Sequence, residues 1–286
     1  MSYSVVVGID GSAQSAAAAG WAAQEADRRG LGLRIVHVAG SEVDALGRDL
    51  GGAPGAVPAS VAAIRDRIAA CLPGLEVSLE IVPGNAAEAL AASRRSEVLV
   101  LGSRGLGGFA GLLVGSVGLR AAARARCPVV LVRAGADGQG GSPGDVVVGV
   151  EGDRPCDAVL AFAFQHAATT GAALRAVESR NTSHGPYTTE APVDRWEVRE
   201  SLAAAEQLRL RDTLAHWRDK YPEVRTEADI CPWSPARALV EASRSASLVV
   251  LGRRTSRHPL AMPRLGPVTQ SVLHHAHSPV AVVPHD

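Results

Sequence analysis

The residues with most to offer chemically lie in one glycine-rich stretch, LGSRGLGGFAGLLVGSVG. Within it Gly102, Gly105 and the pair Gly115–Ser116 stand in the spacing G-x2-G-x9-G-S. The stretch follows a short Val/Leu run, so Gly102 is expected at a strand end, where a ligand approaches the backbone and a Cβ would obstruct it. Gly105 permits a left-handed turn that aims consecutive N–H groups inward. Gly115 and Ser116 are expected to open a helix whose unpaired N–H groups and dipole favour an anion. Ser116 adds a hydroxyl donor and Arg104 could add a positive charge. The alternative is a strand that merely ends on glycines and leads into a helix.

A second piece of chemistry sits in GIDGS near the start. Asp10 there is expected at a strand end, where a carboxylate can accept from ribose hydroxyls or help to hold Mg2+. Its alternative role is to cap the following turn through its side chain. Around Val38 the end of a second strand could offer backbone groups to the edge of a base. His274, His275 and His277 cluster late in the chain but lack a partner Cys or carboxylate at metal-ligand spacing. Ser12 and Ser15 lack the GxSxG context of a hydrolase nucleophile. Lys220 is the sole lysine, which leaves no lysine for a P-loop or a Schiff base in the first part of the chain.

These residues need a frame that brings them to one edge. Short Val/Leu runs without polar alternation predict strands buried on both faces, over Ser4–Ile9, Arg34–Val38, Glu76–Val82, Val98–Leu101 and Val129–Arg133. Ala-rich stretches predict helices between them, about Gln14–Arg29, Ser60–Cys71, Ala86–Ser96 and Ser116–Ala125. Such alternation implies right-handed crossovers and a parallel sheet covered on both sides. Ligands on such a sheet bind at the carboxyl ends of the strands, near the point where the strand order reverses.

The chain then repeats itself. SVVVGIDGS (Ser4–Ser12) returns as DVVVGVEGD (Asp145–Asp153), and NAAEALAASRRSEVLVLGSRG (Asn85–Gly105) as SPARALVEASRSASLVVLGRRT (Ser234–Thr255). CPVVLVR (Cys127–Arg133) returns as SPVAVVP (Ser278–Pro284). The expected organisation is a first domain over 1–134, a Gly-rich linker over 135–144 and a second domain over 145–286. At 286 residues, each copy is long enough to bury its own core.

Composition excludes other classes. Acidic and basic residues are equal at 29 each. The part up to Gly141 holds 13 Arg and 12 acidic residues, so neither half has the field that nucleic-acid or anionic-membrane binding needs. The four scattered cysteines form no CxxC pair and read as buried thiols in a reducing compartment. No apolar run approaches a membrane span, and the N-terminus carries no signal-peptide pattern, so a cytoplasmic location is expected.

VVVGIDGS, PGNAAEAL, GSRGLGGFAGLLVGS and CPVVLV together resemble the universal stress protein family, in tandem form, and the glycine spacing resembles its ATP-binding branch. The resemblance implies a five-stranded parallel sheet in each copy, in two doubly wound α/β domains. It implies adenine near Ile9 and Val38, ribose near Asp10, and phosphates along Gly102–Gly105 and Gly115–Val117. It also implies that members pair through their last strands, so that Val129–Arg133 would meet Val280–Val283, with homodimers open. The second copy departs from the pattern: Glu151 replaces Asp10, Thr255 stands for Gly105, and Pro267 for Ser116. Arg253, Arg254 and Arg257 could compensate by gripping phosphate, or form a solvated basic loop. The expected function is an ATP-binding regulatory protein acting through nucleotide-dependent conformation or assembly. No catalytic residue is assigned. A slow ATPase, or an assembly module with vestigial nucleotide binding, stays open.

Overall fold

A computed structural model describes residues 3–39, 57–103, 114–133, 144–151, 156–179, 195–255 and 263–286, with side chains from 204 onward in the helix that begins at 195. The first half runs β1 (Ser4–Gly8), α1 (Ala13–Arg29), β2 (Gly32–Ala39), α2 (Ala59–Cys71), β3 (Val77–Pro83), α3 (Ala86–Ala91), β4 (Ser96–Gly102), α4 (Ser116–Arg124) and β5 (Val129–Val132). The second half repeats the order as β6 (Asp145–Val150), α5 (Asp157–Thr170), β7 (Leu174–Ser179), α6 (Arg195–Lys220), β8 (Thr226–Cys231), α7 (Pro235–Ala242), β9 (Ala246–Arg254), α8 (Pro267–His275) and β10 (Val280–His285).

Within each half all strand pairs are parallel. The two five-stranded sheets are not separate. They join through an antiparallel β5–β10 pair, with Val280 opposite Leu131 and Val282 opposite Val129, as the pairing of last strands implies. The result is one ten-stranded sheet in the order β3-β2-β1-β4-β5-β10-β9-β6-β7-β8, which runs the same way inward from either edge.

Side-chain alternation explains the layers. Val5 and Val7 of β1 face α1 and α2, while Val6 faces the side of α3 and α4; all three are fully buried. The second half covers the first face with α5 and α6 and the other with α7 and α8. Ser12 caps α1 by accepting from Ser15 N–H at 3.1 Å, and Gly30 ends it in the left-handed conformation (φ 63°). Helix α3 is shorter than its composition predicts and stops at Ala91. Arg95 takes a positive φ of 56° and its carbonyl accepts from Ser4 N–H at 3.0 Å, so Ser96 is already in the strand. The demand of the β1 edge overrides local helix propensity there.

Two further sets of contacts lock the halves together. Under one face, α1 meets α5: Arg29 Nε donates to Glu25 at 2.6 Å, and His166 Nδ1 lies 3.1 Å from the same carboxylate. The His166 ring stacks on Trp21 at 5.8 Å, and the Arg29 guanidinium lies 5.3 Å from the Phe162 ring centre. Burial alone would raise the pKa of the fully buried Glu25. The hydrogen bond and charge of His166, with Arg29, outweigh it and hold the carboxyl at about 2. On the other face each half sends an arginine to the carboxyl end of the other's last helix. Arg133 Nη2 donates to Leu273 O (2.7 Å) and His274 O (2.6 Å) in α8, and Arg253 Nη2 to Ala125 O (2.5 Å) at the end of α4. A cation at a helix carboxyl terminus meets both the dipole and unpaired carbonyls.

Candidate functional site

The strand order reverses between β1 and β4 in the first half and between β6 and β9 in the second. Crevices at those points are where the carboxyl ends of the strands can receive a ligand. In the first half, Gly8 lies beside Val36 of β2 on one side and Leu101 of β4 on the other. This register carries Ile9 and Asp10 out of β1 between the ends of β2 and β4, next to Val38 and Gly102.

Ile9 is buried, and its carbonyl lies 2.9 Å from Nδ1 of His37, which donates to it in the Nδ1–H tautomer. His37 thus ties the ends of β1 and β2 together. Its strand position was legible, but this cross-strand bond was not. Asp10 accepts from Ser12 N–H through Oδ1 at 3.0 Å, so it performs the turn-capping role. A carboxylate has about four lone-pair positions, so this bond is compatible with a second role toward ribose or a cation. Among the described residues no group of three or more His, Cys, Asp or Glu side chains is arranged to hold a metal ion.

Gly102 ends β4 as expected, for a partly different reason. A Cβ there would lie 2.9 Å from the Gln14 carbonyl carbon, so the glycine is required by the close passage of the first turn of α1. Gly115 is the N-cap of α4 in an extended conformation (φ −76°, ψ 156°). Its N–H is not available to an anion, because it donates to Ser103 O at 2.7 Å. That bond pins the start of α4 beside the end of β4. The donors left to the first turn are the N–H groups of Ser116, Val117 and Gly118, the first two on exposed residues, together with the Ser116 hydroxyl. Arg104 and Gly105 lie outside the described residues.

The second crevice has the same frame and different chemistry. Strand β9 is nine residues long against seven for β4, and it stays paired with β10 up to His285 opposite Arg254. Thr255, in the place of Gly105, donates its N–H to His285 O at 2.6 Å. The Thr255 N–H is therefore spent on the sheet. Arg254 pairs with Glu151 at 2.7 Å and Arg253 reaches across the seam to Ala125 O; Arg257 lies outside the described residues. Pro267 opens α8 at its first position, where it removes an N–H.

One minor reading is corrected. Cys71 is exposed rather than a buried thiol. Trp233, at the position of Gly84, is 47% exposed with the Arg237 guanidinium 4.0 Å from its ring centre. Among the described residues no helix is long and apolar enough to cross a membrane.

Comparison with known proteins agrees with this geometry. The model of the universal stress protein family matches residues 1–133 and again 144–284. Universal stress protein Rv2005c of Mycobacterium tuberculosis is 32% identical over 300 residues, covering 98% of this chain and 96% of its own. A universal stress protein of Mycolicibacterium smegmatis is 29% identical over 297 residues, covering 98% and 97%. Among solved structures, a universal stress protein from Archaeoglobus fulgidus shares the fold with a TM-score of 0.60 at 16% identity, covering 99% of this chain and 98% of that one.

Proposed function

The chain belongs to the universal stress protein family, and from that premise we propose that its first half is an adenine-nucleotide site. ATP, with Mg2+ on its phosphates, would act there as a regulatory ligand. The observation that carries this reading is the convergence at one crevice of a base-side wall, a carboxylate and a helix N-terminus. Ile9 and Val38 form the wall, Asp10 stands between, and α4 is pinned by the Gly115–Ser103 bond so that the first-turn donors face the strand ends. A phosphate chain suits such donors because backbone N–H groups and the helix dipole hold an anion without any lysine. Arg104 and Gly105 would extend the same cradle.

The proposed output is a change of conformation or assembly. Ligand contacts made along the 102–116 segment in one conformer only would shift the population towards it. The seam that family members use for pairing is already filled inside this chain by β5 and β10, so assembly into homodimers would use another surface. The test is calorimetric titration of the full chain with ATP and Mg2+, with sedimentation velocity measured in parallel. Saturable ATP binding accompanied by a change in sedimentation supports the reading. Saturable binding with an unchanged hydrodynamic profile removes assembly as the output, and absence of binding removes the nucleotide.

A further inference from the structure

The second half holds a cavity of about 990 Å3 at the carboxyl ends of β6, β7 and β9, walled by α5, α6, α7 and α8. That size is at the upper end of what small-molecule sites enclose. Three features of its lining differ in kind from the first crevice. Thr255 N–H, just past β9, is spent on His285 O, and the His285 ring lies over Gly252 so closely that a Cβ there would meet Nε2 at 2.8 Å. Glu151, at the position of Asp10, is occupied by Arg254. Arg253 stands where the first half has Ser103, is 7% exposed, and lines the cavity.

Arg253 is the informative residue. Its Nη2 is used on Ala125 O, but among the described residues its buried Nε–H has no hydrogen-bond partner. A buried donor on a charged group left without an acceptor is costly, and the side chain that carries it borders the cavity. Exposed Arg264 and the N-terminus of α8, where Val268 and Thr269 carry first-turn N–H groups, line the same space. The rest of the wall is partly aliphatic, with Val159, Leu160 and Leu251, and also carries Glu206 and the ion pair of Arg209 with Glu178.

We propose that this cavity is a second ligand site, built for an amphipathic organic monoanion: an apolar body on the aliphatic wall and one carboxylate or sulfonate held at Arg253. A polyphosphate chain is disfavoured because it would need several donors, whereas Thr255 N–H is held by His285 O and Pro267 brings no N–H to the start of α8. The inference goes beyond the nucleotide reading and does not require it.

The probe is 8-anilinonaphthalene-1-sulfonate, titrated into the full chain held at saturating ATP and Mg2+ and followed by its fluorescence. The site requires one saturable equivalent per chain that ATP does not displace. Decanoate and 1-naphthoate compete in separate arms, which distinguishes an aliphatic from an aromatic source of the same chemistry. Arg253→Gln should weaken the probe at least tenfold. Because that change also cuts the contact with Ala125, Val268→Trp is the second variant; it fills the cavity from the half-buried first turn of α8 and should abolish probe binding while the thermal transition is kept. Ser116→Pro should leave probe binding intact, which separates this site from the nucleotide reading. Displacement of the probe by ATP, survival of binding in folded Val268→Trp, or no saturable binding would each overturn the proposal.

Discussion

Replacing Ser116 by proline would import into α4 the residue with which α8 begins. The backbone accepts it: Ser116 is the first helical residue, where proline's missing N–H breaks no intrahelical bond. Gly115 before it is extended at φ −76°, ψ 156°, the conformation that a residue preceding proline favours. The start of α8, with Gly266 at φ −66°, ψ 161° ahead of Pro267, shows the same arrangement in place. Folding should therefore be unchanged. Two donors to the proposed phosphate are lost, the Ser116 N–H and its hydroxyl. A hydrogen bond to a charged group contributes roughly 1.5–3 kcal/mol. At about 1.4 kcal/mol per factor of ten, ATP affinity should fall on the order of 100-fold or more. Ser116→Ala removes the hydroxyl alone and should cost roughly 10-fold, at the lower end of the same range. Calorimetric titration with ATP and Mg2+ gives both affinities, and a thermal melt checks the fold. A folded Ser116→Pro protein that binds ATP within threefold of the parent would refute the assignment of this helix N-terminus to phosphate.

Other expectations follow from the same geometry. Pro267→Ser should not create a second ATP site, because Thr255 N–H stays bound to His285 O and Glu151 to Arg254; a gain of one nucleotide equivalent by titration would contradict this. Glu25 has a folded pKa near 2 against an ordinary 4.5, so its stabilisation is present above about pH 4.5 and is lost as pH falls towards 2. That shift corresponds to about 3 kcal/mol, read as a fall in unfolding free energy in denaturant titrations that Glu25→Gln should largely flatten. Thiol reagents should label exposed Cys71 well before Cys127, whose thiol pKa is raised by burial; faster modification at Cys127 in mass spectra would contradict the packing at the seam.

Much of the frame was legible from periodicity, because strands buried on both faces read as unbroken Val/Leu runs and the repeat doubles every signal. The Ser4–Ile9 and Val129–Arg133 runs each lie within a residue of β1 and β5. What failed was set by contacts distant in the chain. Helix α3 ends early because Arg95 must present its carbonyl to Ser4. The need for glycine at 102 comes in part from Gln14, on a helix that approaches from elsewhere. Arg253 and Arg254 looked like a phosphate grip, and their partners, Ala125 and Glu151, stand more than 100 positions away. The spacing that marks the glycine motif also says nothing of Gly115 N–H being committed to Ser103. Sequence spacing placed these groups at the strand ends, while the allocation of their donors required coordinates.

The central claim is one nucleotide site in a chain with two copies of the frame. Equilibrium dialysis of the full chain against radiolabelled ATP with Mg2+, carried to saturation, tests it most directly. About one equivalent bound per chain, lost in Ser116→Pro, is the expected result. Two equivalents would mean that the second crevice accepts the triphosphate despite Pro267 and the engaged Thr255 N–H, and none would mean that the first crevice is not a nucleotide site.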